Sequence, residues 1–210
     1  MVRKNHRKAD GQSLARTMAI ASMLIFASMM AGCASVYVDT ATKEVPVAQM
    51  KSVADPKPVQ LIFEFQTKGV PNPRATELLR HEVDKEVKES RLFSSVSDDP
   101  VSNVGLLNVT LNNVPLAEDA ASKGFVTGLT FGLAGSTVTD GYICTVSYLP
   151  AGQTTPVVKT VRHAIHTTIG NASPPPAALK SASMLEAINK VVRDVLSNAL
   201  NDLSHDPAFN

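Results

Sequence analysis

The chain has 210 residues, with 20 Lys and Arg against 19 Asp and Glu. A net charge of +1 provides no basic excess for a phosphate backbone, which excludes nucleic acid as an expected partner. Hydrophobic residues make up 44% of the chain, enough for one domain with a real core.

Residues 1–16 carry Arg3, Lys4, Arg7, Lys8 and Arg16 against a single acid, Asp10. Thr17–Ala31 follows, uncharged and mostly apolar. A membrane span needs about 20 such residues, and this run is shorter. A basic start, a short apolar run and small residues at its exit form the pattern of a secretory signal. The exit is Met30-Ala31-Gly32-Cys33. This tetrad resembles the lipobox of bacterial lipoproteins, with Met30 where that family usually has Leu. The resemblance implies cleavage before Cys33 and a lipid on its thiol. One acyl chain gives only reversible membrane binding. The family carries three, which implies permanent attachment. Ala34 stands where an Asp would favour retention in the inner membrane, so the resemblance implies the outer membrane, with the domain in the periplasm.

Residues 1–32 are then a signal peptide, and they hold five of the basic residues and one of the acids. What remains is mildly acidic. With Cys33 lipidated, Cys144 has no disulfide partner, and stability must come from packing. Residues 34–58 are polar, contain Pro46, Pro56 and Pro58, and lack sustained periodicity, with Val36-Tyr37-Val38 as one candidate short strand. Together with Cys33 they read as a lipidated N-terminus and tether over 33–58, able to reach ~80 Å at most.

A single domain is expected over 59–205. Val59, Leu61, Phe63 and Phe65 alternate with polar residues, which predicts a half-buried strand. Asn72 can cap a helix that opens with Pro73 and runs to about Ser90. Its apolar stripe is Ala75, Leu78, Leu79, Val83 and Val87. Residues 91–97 read as a short strand. Leu107, Val109 and Leu111 alternate within a further strand over 104–114. Tyr142, Cys144, Val146 and Tyr148 do the same over 142–149. A turn at Pro150–Gln153 leads to a strand over about 157–169. The last helix is expected over about 177–203, on a stripe that includes Leu185, Ile188, Val192, Val195, Leu196, Ala199 and Leu203.

The expected fold is α/β: a two-layer domain with a mixed five-stranded sheet covered by two amphipathic helices. The order is β-α-β-β-(Gly-rich segment)-β-β-α. That order, with Ser90-Arg91-Leu92-Phe93-Ser94-Ser95-Val96 and Leu106–Leu111, resembles periplasmic α/β domains of envelope lipoproteins. Among them are the peptidoglycan-synthase activators and the curli-secretion lipoprotein; the TolB amino-terminal domain is similar. In these families a helix commonly ends in Gly-x-Phe-x-x-Val, and Arg91 stands at the Gly position.

Residues 124–139 contain no charge. As a helix they would place Gly124, Gly128, Gly132 and Gly135 on one side, a spacing that lets backbones approach closely. As a strand they would line up Phe125, Leu129, Phe131 and Leu133, with Asp140-Gly141 as a hairpin turn into the next strand. Periodicity does not choose between the two. The segment, with Gly124, Phe125, Gly128, Phe131, Gly132 and Gly135, is the candidate for contact with a partner, a membrane or a second copy.

No catalytic constellation is legible. His163 and His166 are three apart on a strand, hence on opposite faces, and cannot share a metal ion there. Cys144 alternates with apolar neighbours, as a buried inert thiol would. The segment Gly132–Thr137 lacks the Lys of a phosphate loop. The expectation is a non-catalytic envelope lipoprotein that binds a protein partner and needs no metal or cofactor. The alternatives are a self-assembling, membrane-inserting lipoprotein built on 124–139 and a weak hydrolase using His163 or His166.

Overall fold

The computed structural model describes residues 34–116, 131–132 and 135–209. Cys33, Gly124, Phe125 and Gly128 lie outside these residues. In chain order the strands are β1 (Ala34–Asp39), β2 (Val59–Thr67), β3 (Val70–Pro71), β4 (Val96–Ser97), β5 (Gly105–Pro115), β6 (Phe131–Gly132), β7 (Gly135–Leu149), β8 (Val157–Ile169) and β9 (Ala178–Ser181). Helix α1 spans Pro73–Glu89 between β3 and β4, and α2 spans Met184–Ser204 after β9.

All nine strands belong to one open mixed sheet, ordered β3-β2-β5-β7-β8-β1-β9, with β4 beside β2 and β6 beside β7. The α/β class and the two helices agree with expectation. The five-strand count does not, because β1, β3, β6 and β9 add to the sheet. Strand β2 is parallel to β5, Val59 facing Gly105 and Thr67 facing Asn113. Strands β5, β7 and β8 pair antiparallel.

One face of this sheet makes the core. Val59, Leu61, Phe63 and Phe65 of β2 meet Leu107, Val109 and Leu111 of β5 and Tyr142, Cys144, Val146 and Tyr148 of β7. The helices cover them. Helix α2 buries Ala187, Ile188, Val191, Val192, Val195, Leu196, Ala199, Leu200 and Leu203, a stripe recurring every three or four residues. Helix α1 contributes Leu79, Val83 and Val87, while Leu78 is 62% exposed and stands outside the expected stripe.

The helix starts have distinct causes. Asn72 Oδ1 accepts from the Ala75 N–H at 3.1 Å, as expected of a cap. Thr76 Oγ1 accepts from the Phe65 N–H at 2.9 Å, which ties the first turn of α1 to the end of β2. Helix α2 begins seven residues later than expected, at Met184. The prolines at 174–176 hold the chain extended, and Ala178–Ser181 joins β1 as a strand. Ser183 then caps the helix: its Oγ accepts from the Glu186 N–H at 3.1 Å, and Glu186 Oε2 accepts from the Ala182 N–H at 2.8 Å.

Residues 34–58 are not a free tether. Strand β1 lies between β8 and β9 in the sheet. After it the chain runs along α2 as a strap. Ser197 Oγ accepts from the Val45 N–H and Ser204 Oγ from the Lys51 N–H, both at 3.0 Å. Asn198 Nδ2 donates to the Lys43 carbonyl at 2.6 Å. In these bonds the strap contributes its backbone and α2 its side chains, so the strap's own side chains carry no periodic pattern that would announce it.

The Asp140-Gly141 turn is also corrected. Both residues sit inside β7, where Asp140 faces Ile165 and Gly141 faces Ala164. The reversal lies earlier, with Gly132 opposite Gly135 across the β6–β7 pair. Phe131, Gly132 and Gly135 are therefore strand residues, and the helical alternative fails for them.

Arg91, just past α1, has φ +59°, the left-handed conformation that glycine adopts without cost. Arg91→Gly should therefore raise stability by about 0.5–1 kcal/mol. A melting curve would show this as an increase of a few degrees, and a decrease would mean that the Arg91 side chain contributes more than its backbone costs.

Candidate binding groove

A groove of about 990 Å³ lies at the end of the sheet where β7 finishes and β8 begins. Its walls come from four places in the chain: 51–58 of the strap, 103–105 at the start of β5, 148–157 around the β7–β8 turn, and 208–209 near the C-terminus. Each wall is fixed by backbone bonds. The Gly105 N–H donates to the Pro58 carbonyl at 3.2 Å and the Ser94 N–H to the Lys57 carbonyl at 3.1 Å. The Gln153 N–H closes the β7–β8 turn on the Pro150 carbonyl at 3.1 Å.

The floor is aromatic. Tyr148 lies 5.1 Å from Phe209 and 5.4 Å from Phe93, ring centre to ring centre. Phe93 and Phe209 meet edge to face at 5.9 Å. The C-terminal turn places Phe209. Asp206 accepts from Lys159 Nζ at 2.7 Å and from the Ala208 N–H at 2.8 Å. A methyl group on Gly105 would come within 2.8 Å of the Tyr148 ring, so any larger residue there would push the ring from this position. The rim is polar, with Lys51, the Asp55–Lys57 ion pair and Gln153. An apolar floor with a rim of both charges suits a short protein segment: the floor takes apolar side chains and the rim takes backbone and charge. A second hollow of about 730 Å³ shares Lys51, Ser52 and Val53 and is closed by Glu89–Leu92.

The two strand histidines lie on opposite faces, as their spacing requires. His163 Nε2 meets Asp194 Oδ2 of α2 at 3.0 Å, and Lys190 Nζ donates to both Asp194 oxygens at 2.9 Å. The His163 and Asp194 side chains are 0% exposed, so the pair pins α2 to β8 with no opening for a substrate. His166, on the other face, is buried as well. Its Nδ1 shares a 2.9 Å hydrogen bond with Thr139 Oγ1, and its Nε2 is 3.6 Å from Asp39 of β1. Burial pushes the Asp39 carboxyl up, but the His166 imidazole and the Ala41 N–H outweigh it and hold it below the usual carboxylate range. Cys144 is fully buried, and that burial pushes its thiol up to about 12, as an inert thiol requires.

Sequence reasoning missed the groove because its walls are scattered. The turn at Pro150–Gln153 was the one legible part. Phe209, a lone aromatic in a polar tail, was the remaining signal and fell outside the expected domain.

Two measurements follow. Asp194→Ala leaves His163 sealed in the core without its carboxylate and should cost about 3 kcal/mol in denaturant unfolding. A change under about 0.5 kcal/mol would mean that the pair is not a pin. Burial, then Glu44 and Glu82, raise the Glu86 carboxyl to about 7. A raised carboxyl binds its proton more tightly in the folded state. Its contribution is thus full below the unfolded value near 4.5 and lost as pH rises through about 7. Glu86→Gln should flatten the fall in melting temperature across that window, and an unchanged profile would contradict the assignment.

No family model matches the chain, and no curated protein matches it in sequence. Among solved structures it resembles a PelC dodecamer from Paraburkholderia phytofirmans at 12% identity over 81% of this chain and 97% of that one, with a TM-score of 0.30. It also resembles a putative neuraminyllactose-binding hemagglutinin homolog from Helicobacter pylori, at 11% identity over 79% and 91% of the two chains and a TM-score of 0.43. A minor lipoprotein from Acinetobacter baumannii matches at 14% identity over 71% and 86%, with a TM-score of 0.31. These are likenesses of fold alone.

Proposed function

We propose that this chain is an outer-membrane lipoprotein, held by a lipid on Cys33, that acts as a non-catalytic binding module for an envelope protein in the periplasm. The groove lined by Tyr148, Val157 and Phe209 is its receiving surface. The observation that carries the reading is the polarity of the domain. Strand β1 opens at Ala34, one peptide bond after Cys33. Thr168 Oγ1 donates to the Ser35 carbonyl at 3.4 Å and Thr42 Oγ1 to the Arg162 carbonyl at 2.9 Å, so β1 runs antiparallel to β8. The anchored end of the sheet is therefore the end where β8 finishes. The groove is at the other end of the β7–β8 pair, about 40 Å away at ~3.4 Å per residue. A domain fastened at one end and grooved at the other presents the groove to the periplasm.

The reading has two separable tests. Cys33→Ser should abolish incorporation of a fatty-acid probe, and label persisting in that variant would show that Cys33 is not the anchor. For the groove, Lys57→Glu and Gln153→Trp alter the rim without touching the core. Each should weaken capture of the partner from envelope extracts about tenfold or more while leaving the melting temperature in place. Undiminished capture by both variants would move the binding surface elsewhere. Reproducible turnover of a cell-wall or lipid substrate, lost on a single polar substitution, would sink the non-catalytic assignment.

A further inference from the structure

Five exposed apolar side chains gather at the end of the sheet where β1 begins. They are Val138 of β7, Ile169 of β8, Leu179 of β9, and Met184 and Leu185 at the start of α2, each between 40% and 60% exposed. The register brings them together. Ile169 faces Ser136, and Val138 faces Thr167. Leu179 faces Val38, and Ser181 faces Val36. Alternation puts Val138 on the side of Tyr142 and Cys144, and Ile169 on the side of His163 and Ile165. Leu179 shares the side of Val38, which is buried in the helix-covered core. All five are thus on the helix-bearing side of one end of the molecule.

Among the described residues, this end is also free of charge along most of its strands. Residues 34–38, 135–139 and 167–179 contain no Asp, Glu, Lys, Arg or His. Lys180 faces Tyr37, one residue nearer the Ala34 end than Leu179 and on the other side of the sheet, and its long apolar stem lets the ammonium reach back to the lipid headgroups. Glu186 is occupied by the Ala182 N–H. The groove end differs: Lys51, Asp55 and Lys57 crowd its rim. A domain that meets only water and one protein partner has no need of this asymmetry.

We propose that the charge-free end beds into the same membrane leaflet that holds the Cys33 lipid, so that the domain stands on the bilayer through Val138, Ile169, Leu179, Met184 and Leu185. The inference rests on the lipid-anchor reading and goes beyond it. The occupant follows from where the chain leaves the described structure. Cys33 is one trans peptide, about 3.8 Å between Cα atoms, from Ala34. With no slack between lipid and sheet, the patch is held against the surface at high effective concentration. A patch too small to recruit a free protein to a membrane is then large enough to settle an anchored one.

The test uses the full-length acylated protein in vesicles of phosphatidylethanolamine and phosphatidylglycerol. Nitroxide labels are placed by Ile169→Cys, by Leu185→Cys and, as the reference, by Val158→Cys at the groove end. Cys144 is buried and stays unlabelled. The labels at 169 and 185 should collide several-fold more often with oxygen, which concentrates in lipid, than with a water-soluble nickel complex. The label at 158 should show the reverse. Mass spectrometry of the same sample reports whether Cys33 carries lipid. If it does, and all three labels prefer the nickel complex, the patch faces water and the proposal falls while the anchor stands. Labels at 169 and 185 shielded from both reagents would mean that a second copy or a protein partner covers the patch, which also overturns it. A lipid-free Cys33 would remove the anchor and this orientation together.

Discussion

The antiparallel pairing of β7 with β8 is the constraint on which the rest of the molecule depends. It runs without a break from Ser136 opposite Ile169 to Tyr148 opposite Val157. A one-residue slip would turn either Tyr142, Cys144 and Val146 of β7 out of the core or His166 of β8 into it. Every functional feature is referred to this ladder. One end holds the aromatic floor of the groove, and the other holds β1 and the uncharged strand ends. Helix α2 is locked across it by its apolar stripe and by Asp194 on His163, a contact that only one register allows.

The core strands were legible because strict alternation has one interpretation. Val59 to Phe65 and Tyr142 to Tyr148 can bury one face and no other. The Asn72 cap was legible for a similar reason, since Asn followed by Pro has a direct mechanical meaning at a helix start. What escaped were elements whose stability is borrowed. Strand β1 showed only as Val36-Tyr37-Val38, too short to be told from the stretch around it, and β9 is four residues that gain their place by pairing with β1 at the sheet edge. The strap was unreadable because its partners, Ser197, Asn198 and Ser204, are some 150 residues away. The Ser183–Glu186 cap was in plain sight, and the apolar run before it drew the expected helix too far toward the prolines. The groove is a tertiary object built from four segments, and no local pattern encodes it.

Buried polar groups do more of the specifying here than composition suggests. Asp194 and His163 select one seating of α2. His166, Thr139 and Asp39 select one seating of β1 on the opposite face. Thr76 joins a helix start to a strand end. Asp194, His163 and Thr76 are paired in this arrangement and stranded in others, so the penalty falls on misassembly rather than adding to stability.

The placement of β1 between β8 and β9 has a mechanical consequence. A load applied between a partner in the groove and a lipid on Cys33 enters the sheet at opposite ends and runs along the strands. The hydrogen bonds of β1 lie across that direction, so they are loaded side by side rather than opened one after another. A strand pulled in shear yields only when many bonds fail together. The same segment joined as a flexible leader would have passed the load to the first turn of the domain. With the proposed anchor and partner in place, the protein would be a tension member whose strongest direction runs along its strands.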